Sequence, residues 1–271
     1  MLDSRSFLFV PGDRPDRFEK ALASGAHEII LDLEDAVPPA DKEKARAAIA
    51  AWEGRARAIV RINGFDSPWF TDDLAFVRKA GLSKVMIPKA EPEGVDAAAA
   101  VLGADVSFIG LVETVAGFLR VREVCQAPAV QRLAFGNLDF SLDAGMSETA
   151  TQLDPIRLQL ALESRFARLA APIDGVFAAF SDQSGLASHT QRVKALGFGG
   201  KLCIHPNQVA PVNSAFLPAD EELAWAIKIM AAVEAGGAGA ISVDGKMVDR
   251  PVAERARGII RASGAGEPRR S

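Results

Sequence analysis

The chain has no tyrosine, two cysteines and three histidines in 271 residues. Without tyrosine, no phenolic acid, base or nucleophile can enter a mechanism. Cys125 and Cys203 stand far apart and form no Cys-x-x-Cys pair, which argues against a disulfide framework and a thiolate zinc site. His27, His189 and His205 are equally scattered, which argues against a histidine-rich zinc site as well. A basic excess is also missing. The 31 Lys and Arg against 35 Asp and Glu leave a formal net charge of −4, so no broad surface is expected to attract nucleic acid or an anionic membrane. No run of about 18 uncharged apolar residues occurs. Residues 7–10 are too few, and residues 13–20 too charged, to read as a signal peptide. These absences predict a soluble cytoplasmic protein with neither a nucleic-acid nor a membrane partner.

Apolar residues make up 49% of the chain, and they fall in a regular pattern. Eight short runs rich in β-branched residues recur at 7–10, 28–33, 58–62, 84–88, 107–112, 132–135, 175–180 and 201–204. Most are continuous rather than alternating, as parallel strands covered on both faces require. Between them, residues 16–24, 40–52, 70–80, 92–102, 115–125, 155–170 and 184–196 carry apolar side chains at helical spacing. Eightfold strand–helix alternation predicts an α/β fold, a (β/α)8 TIM barrel. An open doubly wound sheet is the alternative. It lacks support, because no Gly-x-Gly-x-x-Gly follows any run and GFGGKL at 197–202 lacks the spacing of a phosphate loop. The barrel accounts for residues 1–217. Residues 218–271 are too few for a second domain and read as a C-terminal helix–hairpin–helix arm, packed on its own barrel or on a neighbouring subunit. The arm comprises an alanine-rich helix, a glycine-rich stretch at 236–239, a hairpin pairing 240–243 with 246–248 around Asp244-Gly245, and a helix opened by Pro251.

A barrel of this kind carries its chemistry where its strands end. Run two is followed by Asp32, Glu34 and Asp35, run three by Arg61 and Asn63, and run four by Lys89. Runs five and six lead to Glu113 and to Asn137 with Asp139, run seven to Ser181 and Asp182, and run eight to His205. A rim rich in carboxylates, with no cysteine or histidine cluster, suits a hard cation, Mg²⁺ with Mn²⁺ as the alternative. Glu113 and Asp139, from adjacent strands, are the natural pair to hold it. Arg61 can grip a substrate carboxylate with its planar fork; its structural alternative is an ion pair with Asp32 or Glu34. Asp35 reads as a cap for the following loop or helix, Cys203 as core, and Lys89 as a weak candidate for Schiff-base chemistry. His205 is open between a packed loop residue and a ligand contact.

Five stretches carry a resemblance: FLFVPGDR at 7–14, LDLEDAV at 31–37, VRIN at 60–63, LVET at 111–114 with GNLD at 136–139, and GFGGKLCIHPNQ at 197–208. In their combined order they resemble the citrate lyase beta-subunit/malyl-CoA lyase (HpcH/HpaI aldolase) family, a branch of the phosphoenolpyruvate/pyruvate barrels. The resemblance implies a Mg²⁺-dependent carbon–carbon lyase acting on a 3-hydroxyacyl-CoA thioester. Malyl-CoA would give acetyl-CoA and glyoxylate; citramalyl-CoA would give acetyl-CoA and pyruvate. It also implies that Glu113 and Asp139 ligate the ion and that Arg61 holds the oxo-acid carboxylate. Asp32, Glu34 and Asp35 would orient Arg61 and the waters on the ion. Phe9, Arg14, Lys20 and the Ile204-His205 segment would meet coenzyme A. GAISVDGKMVDRP at 239–251 resembles the segment that carries a catalytic aspartate in such lyases. By that match the residue is Asp249, acting in a neighbouring subunit of a homotrimer or hexamer; its structural alternative is an N-cap for the helix at Pro251. One departure stands out: Leu138 precedes Asp139, where relatives often have an acidic residue. Other readings stay open. They are a citrate lyase beta subunit acting on citryl-acyl-carrier protein, malate synthase or thioesterase activity, and a non-catalytic acyl-CoA-binding barrel.

Overall fold

The computed structural model describes residues 1–147, 151–236 and 241–264. Eight parallel strands close into a barrel in chain order: β1 (Ser6–Pro11), β2 (Glu28–Asp32), β3 (Ile59–Arg61), β4 (Lys84–Ile87), β5 (Ser107–Val112), β6 (Val130–Phe135), β7 (Ile173–Asp174) and β8 (Gly200–Cys203). β8 returns to pair with β1, which closes the ring. The expected (β/α)8 TIM barrel is therefore the observed fold.

Two apolar clusters explain why the strand sequences run continuously. Ile30, Ile59, Ile109, Leu111 and Leu202 belong to the cluster that fills the barrel. Their neighbours Ile29, Leu31, Val60, Phe108 and Cys203 belong to the larger cluster between strands and helices. Alternate side chains point to opposite faces of a strand, and here both faces are apolar. Parallel pairing sets Asp32 beside Arg61 at the carboxyl ends of β2 and β3.

Strand seven differs from expectation. β7 is the two residues Ile173–Asp174, and 175–180 is a loop whose Val176 and Phe177 pack against the two clusters. That run is apolar because it is packed, not because it pairs. Asp182 consequently leaves the strand end and caps the helix Gln183–Ala195, accepting from the Gly185 N–H at 2.9 Å. The carboxylate on β7 itself is Asp174, fully buried between Arg157 Nε at 2.7 Å and Lys201 Nζ at 2.5 Å. A short helix not foreseen, Asn137–Asp143, follows β6 directly.

Residues Leu217–Ser271 form a separate compact unit. Its described elements are the helix Asp220–Gly236, the antiparallel pair β9 (Ile241–Val243) and β10 (Lys246–Val248), and the helix Arg250–Ser263. Ala226, Ile229, Val248 and Ala256 make its small core. Residues 237–240, which hold most of the expected glycine-rich stretch and the first residue of the hairpin, lie outside the described residues. Among the described residues, no helix is long and apolar enough to cross a membrane.

Candidate active site

The turn after β2 is built by its own first carboxylate. Asp32 accepts from the Glu34 N–H at 2.9 Å and the Ala36 N–H at 3.0 Å, fixing both residues that follow. Lys42 grips the same turn from the next helix. Its Nζ donates to the carbonyls of Leu33 (2.6 Å) and Glu34 (2.7 Å) and to Asn63 Oδ1 (2.7 Å). Sequence reasoning missed Lys42, although it left a signal: the residue stands at helical spacing with buried Ala45 and Ile49.

Arg61 closes onto this turn. Nε and Nη2 donate to the two Asp32 oxygens, each at 2.7 Å, in a bidentate pair. Nη1 lies 3.0 Å from Glu34 Oε2 and 3.8 Å from Asp35 Oδ2. The guanidinium carbon sits 4.8 Å from the centre of the Phe9 ring. Burial opposes the charge, but the Asp32 hydrogen bonds and nearby carboxylates outweigh it and hold the pKa above its ordinary value. The structural alternative for Arg61 is thus realised. One edge of its fork is committed to Asp32, and Nη1 faces Glu34.

Glu113 follows β5 and is 2% exposed. Its Oε1 accepts from the Lys89 N–H at 2.8 Å, which the left-handed backbone of Lys89 (φ 44°) delivers. That conformation is strained for a residue with a Cβ. Lys89 Nζ reaches Glu34 Oε1 at 3.7 Å and is itself exposed. Gly136, after β6, lets the Asp139 segment close on Glu113. A Cβ there would lie 2.5 Å from Glu113 Cβ and 2.7 Å from Oε2. Asp139 occupies the first turn of the helix Asn137–Asp143 and is exposed.

Asp32, Glu34, Asp35, Glu113 and Asp139 thus gather around Arg61 and Lys89. The acid excess shows in the titration of the buried members. Burial first, then the neighbouring Glu34 charge, push Glu113 up to about 8. Burial, and the Asp35 and Asp32 charges against the pull of Arg61, push Glu34 up to about 7. Glu34 Oε2 is buried with no hydrogen bond, despite its ion pair with Arg61. A hard divalent cation fits this donor set: it meets oxygen ligands and relieves the excess of negative charge. Among the described residues no three His, Cys, Asp or Glu form a complete metal cage. Two protein carboxylates are nevertheless what Mg²⁺ commonly takes.

These residues border a cavity of about 340 Å³, lined by Arg61, Glu113, Asn137 and Asp139 on one side and by apolar residues including Phe9, Leu111, Val176 and Ile204. A larger hollow of about 770 Å³ adjoins it over Glu34, Asp35 and Lys89, but Arg61, Glu113 and Asp139 are absent from its wall. The smaller cavity is therefore the one that Arg61, Glu113 and Asp139 line together.

The other expected residues are distributed as follows. Phe9 and Ile204 line the cavity. Arg14 is exposed and pairs with Asp16 at 2.9 Å, and Lys20 is exposed. His205 caps the turn Pro206–Gln208, its Nδ1 accepting from the Asn207 N–H at 3.1 Å, and stacks on Phe180. Asp35 forms no cap; Asp32 makes the turn instead. Asp249 lies in the second unit and caps its helix, accepting from the Val252 N–H at 3.2 Å.

Residues 5–206 match the HpcH/HpaI aldolase/citrate lyase family. The chain is 36% identical to the L-malyl-CoA/beta-methylmalyl-CoA lyase of Cereibacter sphaeroides, over 95% of this chain and 94% of the relative. It is 31% identical to the citrate lyase subunit beta of Leuconostoc mesenteroides, over 96% and 93%. The fold superposes on CitE from Mycobacterium tuberculosis, solved with magnesium, acetoacetate and coenzyme A, with a TM-score of 0.84 and 32% identity over 97% of this chain and 100% of that one. With barrel, rim carboxylates and ordered motifs all in agreement, the chain belongs to the HpcH/HpaI aldolase/citrate lyase family and is an enzyme of the carbon–carbon lyase class.

Proposed function

We propose that the chain is a Mg²⁺-dependent lyase that splits a 3-hydroxyacyl-CoA thioester, such as citramalyl-CoA or malyl-CoA, into acetyl-CoA and a 2-oxo acid. The observation that carries the reading is the acid-rich wall on which buried Arg61 and Glu113 meet the exposed Asp139, in a cavity lined otherwise mostly by apolar residues. Glu113 and Asp139 would hold the cation, which supplies Lewis acidity at the substrate hydroxyl. Arg61, locked by Asp32, orients the oxo-acid carboxylate so that the bond to be broken has one geometry. Phe9 and Ile204 form the apolar entry for the acyl chain, with Arg14 and Lys20 outside for the coenzyme A phosphates. Asp249 of a neighbouring subunit returns a proton to the acetyl carbon, or removes one in condensation. The reading therefore includes a cytoplasmic homotrimer or hexamer.

The test is direct. The purified protein with Mg²⁺ and (S)-citramalyl-CoA or (S)-malyl-CoA should release pyruvate or glyoxylate, and EDTA or Glu113→Ala should abolish release. Release that persists in Glu113→Ala refutes the assigned metal site. Silence of the folded wild type on both esters removes the reading. The 31% match to a citrate lyase subunit beta then favours an acyl-carrier-protein thioester as substrate.

A further inference from the structure

The lyase reading leaves one charge without a partner. In the cleavage step the hydroxyl proton leaves to water and its carbon becomes the carbonyl of the 2-oxo acid. The bond to the α-carbon of the acyl-CoA breaks, and its electron pair moves onto that fragment as an enolate. The negative charge is carried largely by the former thioester oxygen until the α-carbon is protonated. That oxygen forms inside a cavity walled by Asp32, Asp35, Glu113 and Asp139, none of which, when ionised, can donate a hydrogen bond to it. Arg61, the cationic side chain on the same wall, is committed to Asp32 and Glu34 and serves the opposite end of the substrate.

Asn137 stands on that wall between Gly136 and Asp139 and is 7% exposed. Its Oδ1 is buried without a hydrogen-bond partner, and among the described residues its Nδ2 donates to no other group. A side-chain donor on a cavity wall that bonds nothing in the chain is free to meet a ligand. Gly175, just past β7, makes the room: a Cβ there would lie 2.6 Å from Asn137 Cγ. The same crowding closes off Oδ1 and leaves Nδ2 as the end available to the cavity. Among the described residues of the wall, Asn137 is the one uncharged side-chain donor.

We propose that Asn137 Nδ2 donates a hydrogen bond to the thioester carbonyl oxygen and strengthens it as the enolate forms. This inference rests on the lyase reading. It makes Asn137 a catalytic residue that acts in the transition state rather than in ground-state binding.

Asn137→Leu keeps much of the shape of the side chain and removes the donor without adding a charge, while Asn137→Ala also removes the bulk. With the CoA ester that the wild type cleaves, each variant should lose about 100-fold in kcat, with KM and the affinity for the free 2-oxo acid within about threefold. An unchanged thermal melt for Asn137→Leu separates the loss from misfolding. A kcat for Asn137→Leu within about threefold of wild type overturns the inference and leaves the lyase reading standing. So does a loss that falls on 2-oxo-acid affinity while kcat holds, because Asn137 would then serve the other end of the substrate. A wild type silent on every ester removes both.

Discussion

Replacing Asp32 by asparagine keeps the side-chain volume and removes the charge against which Arg61 is set. In the native turn, Asp32 accepts two guanidinium bonds at 2.7 Å and two backbone N–H bonds at 2.9 and 3.0 Å. Asparagine offers one oxygen, and its NH₂ group meets a guanidinium N–H donor to donor. Asp32 is 1% and Arg61 8% exposed, so water screens little of this change. Breaking a buried ion pair by removing one partner costs about 3–5 kcal/mol. The lower half of that range applies here, because Glu34 still faces Arg61 Nη1 at 3.0 Å. A unit the size of Met1–Phe216 loses about 2–4 °C for each kcal/mol, so the melting temperature should fall by about 6–16 °C. The guanidinium also loses its fixed orientation, so the affinity for the 2-oxo acid in the condensation direction should fall by about tenfold or more. Differential scanning calorimetry and condensation kinetics read the two effects. A melt within about 2 °C of wild type together with unchanged oxo-acid affinity would refute the role given to the pair.

His189, 3.2 Å from Lys201 Nζ, is held neutral by burial and by that ammonium, which lower its pKa from 6.5 to about 3. Because the unfolded state takes up the proton first, stability is full above about pH 6.5. It falls as pH drops towards 3 by about 1.4 kcal/mol per unit, or about 2 kcal/mol by pH 5. Urea unfolding at several pH values should show this slope in wild type and a flatter one in His189→Gln; parallel slopes would show that His189 is not its source. Asp249→Ala and Arg61→Ala chains should each be inactive and regain partial activity when mixed into common oligomers. No recovery despite verified subunit exchange would remove the assignment of Asp249 to a neighbour's site.

The barrel was legible because period-two burial on two apolar faces writes continuous runs, and seven of the eight runs lie on strands. The eighth misled for a physical reason. Val176 and Phe177 are apolar like strand residues, yet they pack as a loop, while the true strand has only two residues. The site was legible where chemistry is local to a strand end, as at Arg61 and Glu113. It was not legible where the decisive partner comes from elsewhere in the chain. Lys42 acts through backbone carbonyls, which no side-chain pattern reveals. Asn137 matters because Gly175, nearly forty positions on, lacks a side chain. Likewise the commitment of Arg61 to Asp32 depends on register between strands, which spacing alone leaves open.

Leu138 shows how charge and substrate range are tied together at this rim. It immediately precedes Asp139, lines the cavity and is 39% exposed. Glu113 and Glu34 already titrate at about 8 and about 7, because burial and mutual repulsion oppose their ionisation. A further carboxylate beside Asp139 would raise both and make the ionised, cation-holding state harder to reach near neutral pH. Leucine limits that load and adds an apolar side chain to a cavity also lined by Val176 and Leu202. A leucine here therefore leaves the pair that would hold the cation intact while setting what lies next to it. Its effect should fall on which acyl or oxo-acid substituent is accepted rather than on the bond that is broken.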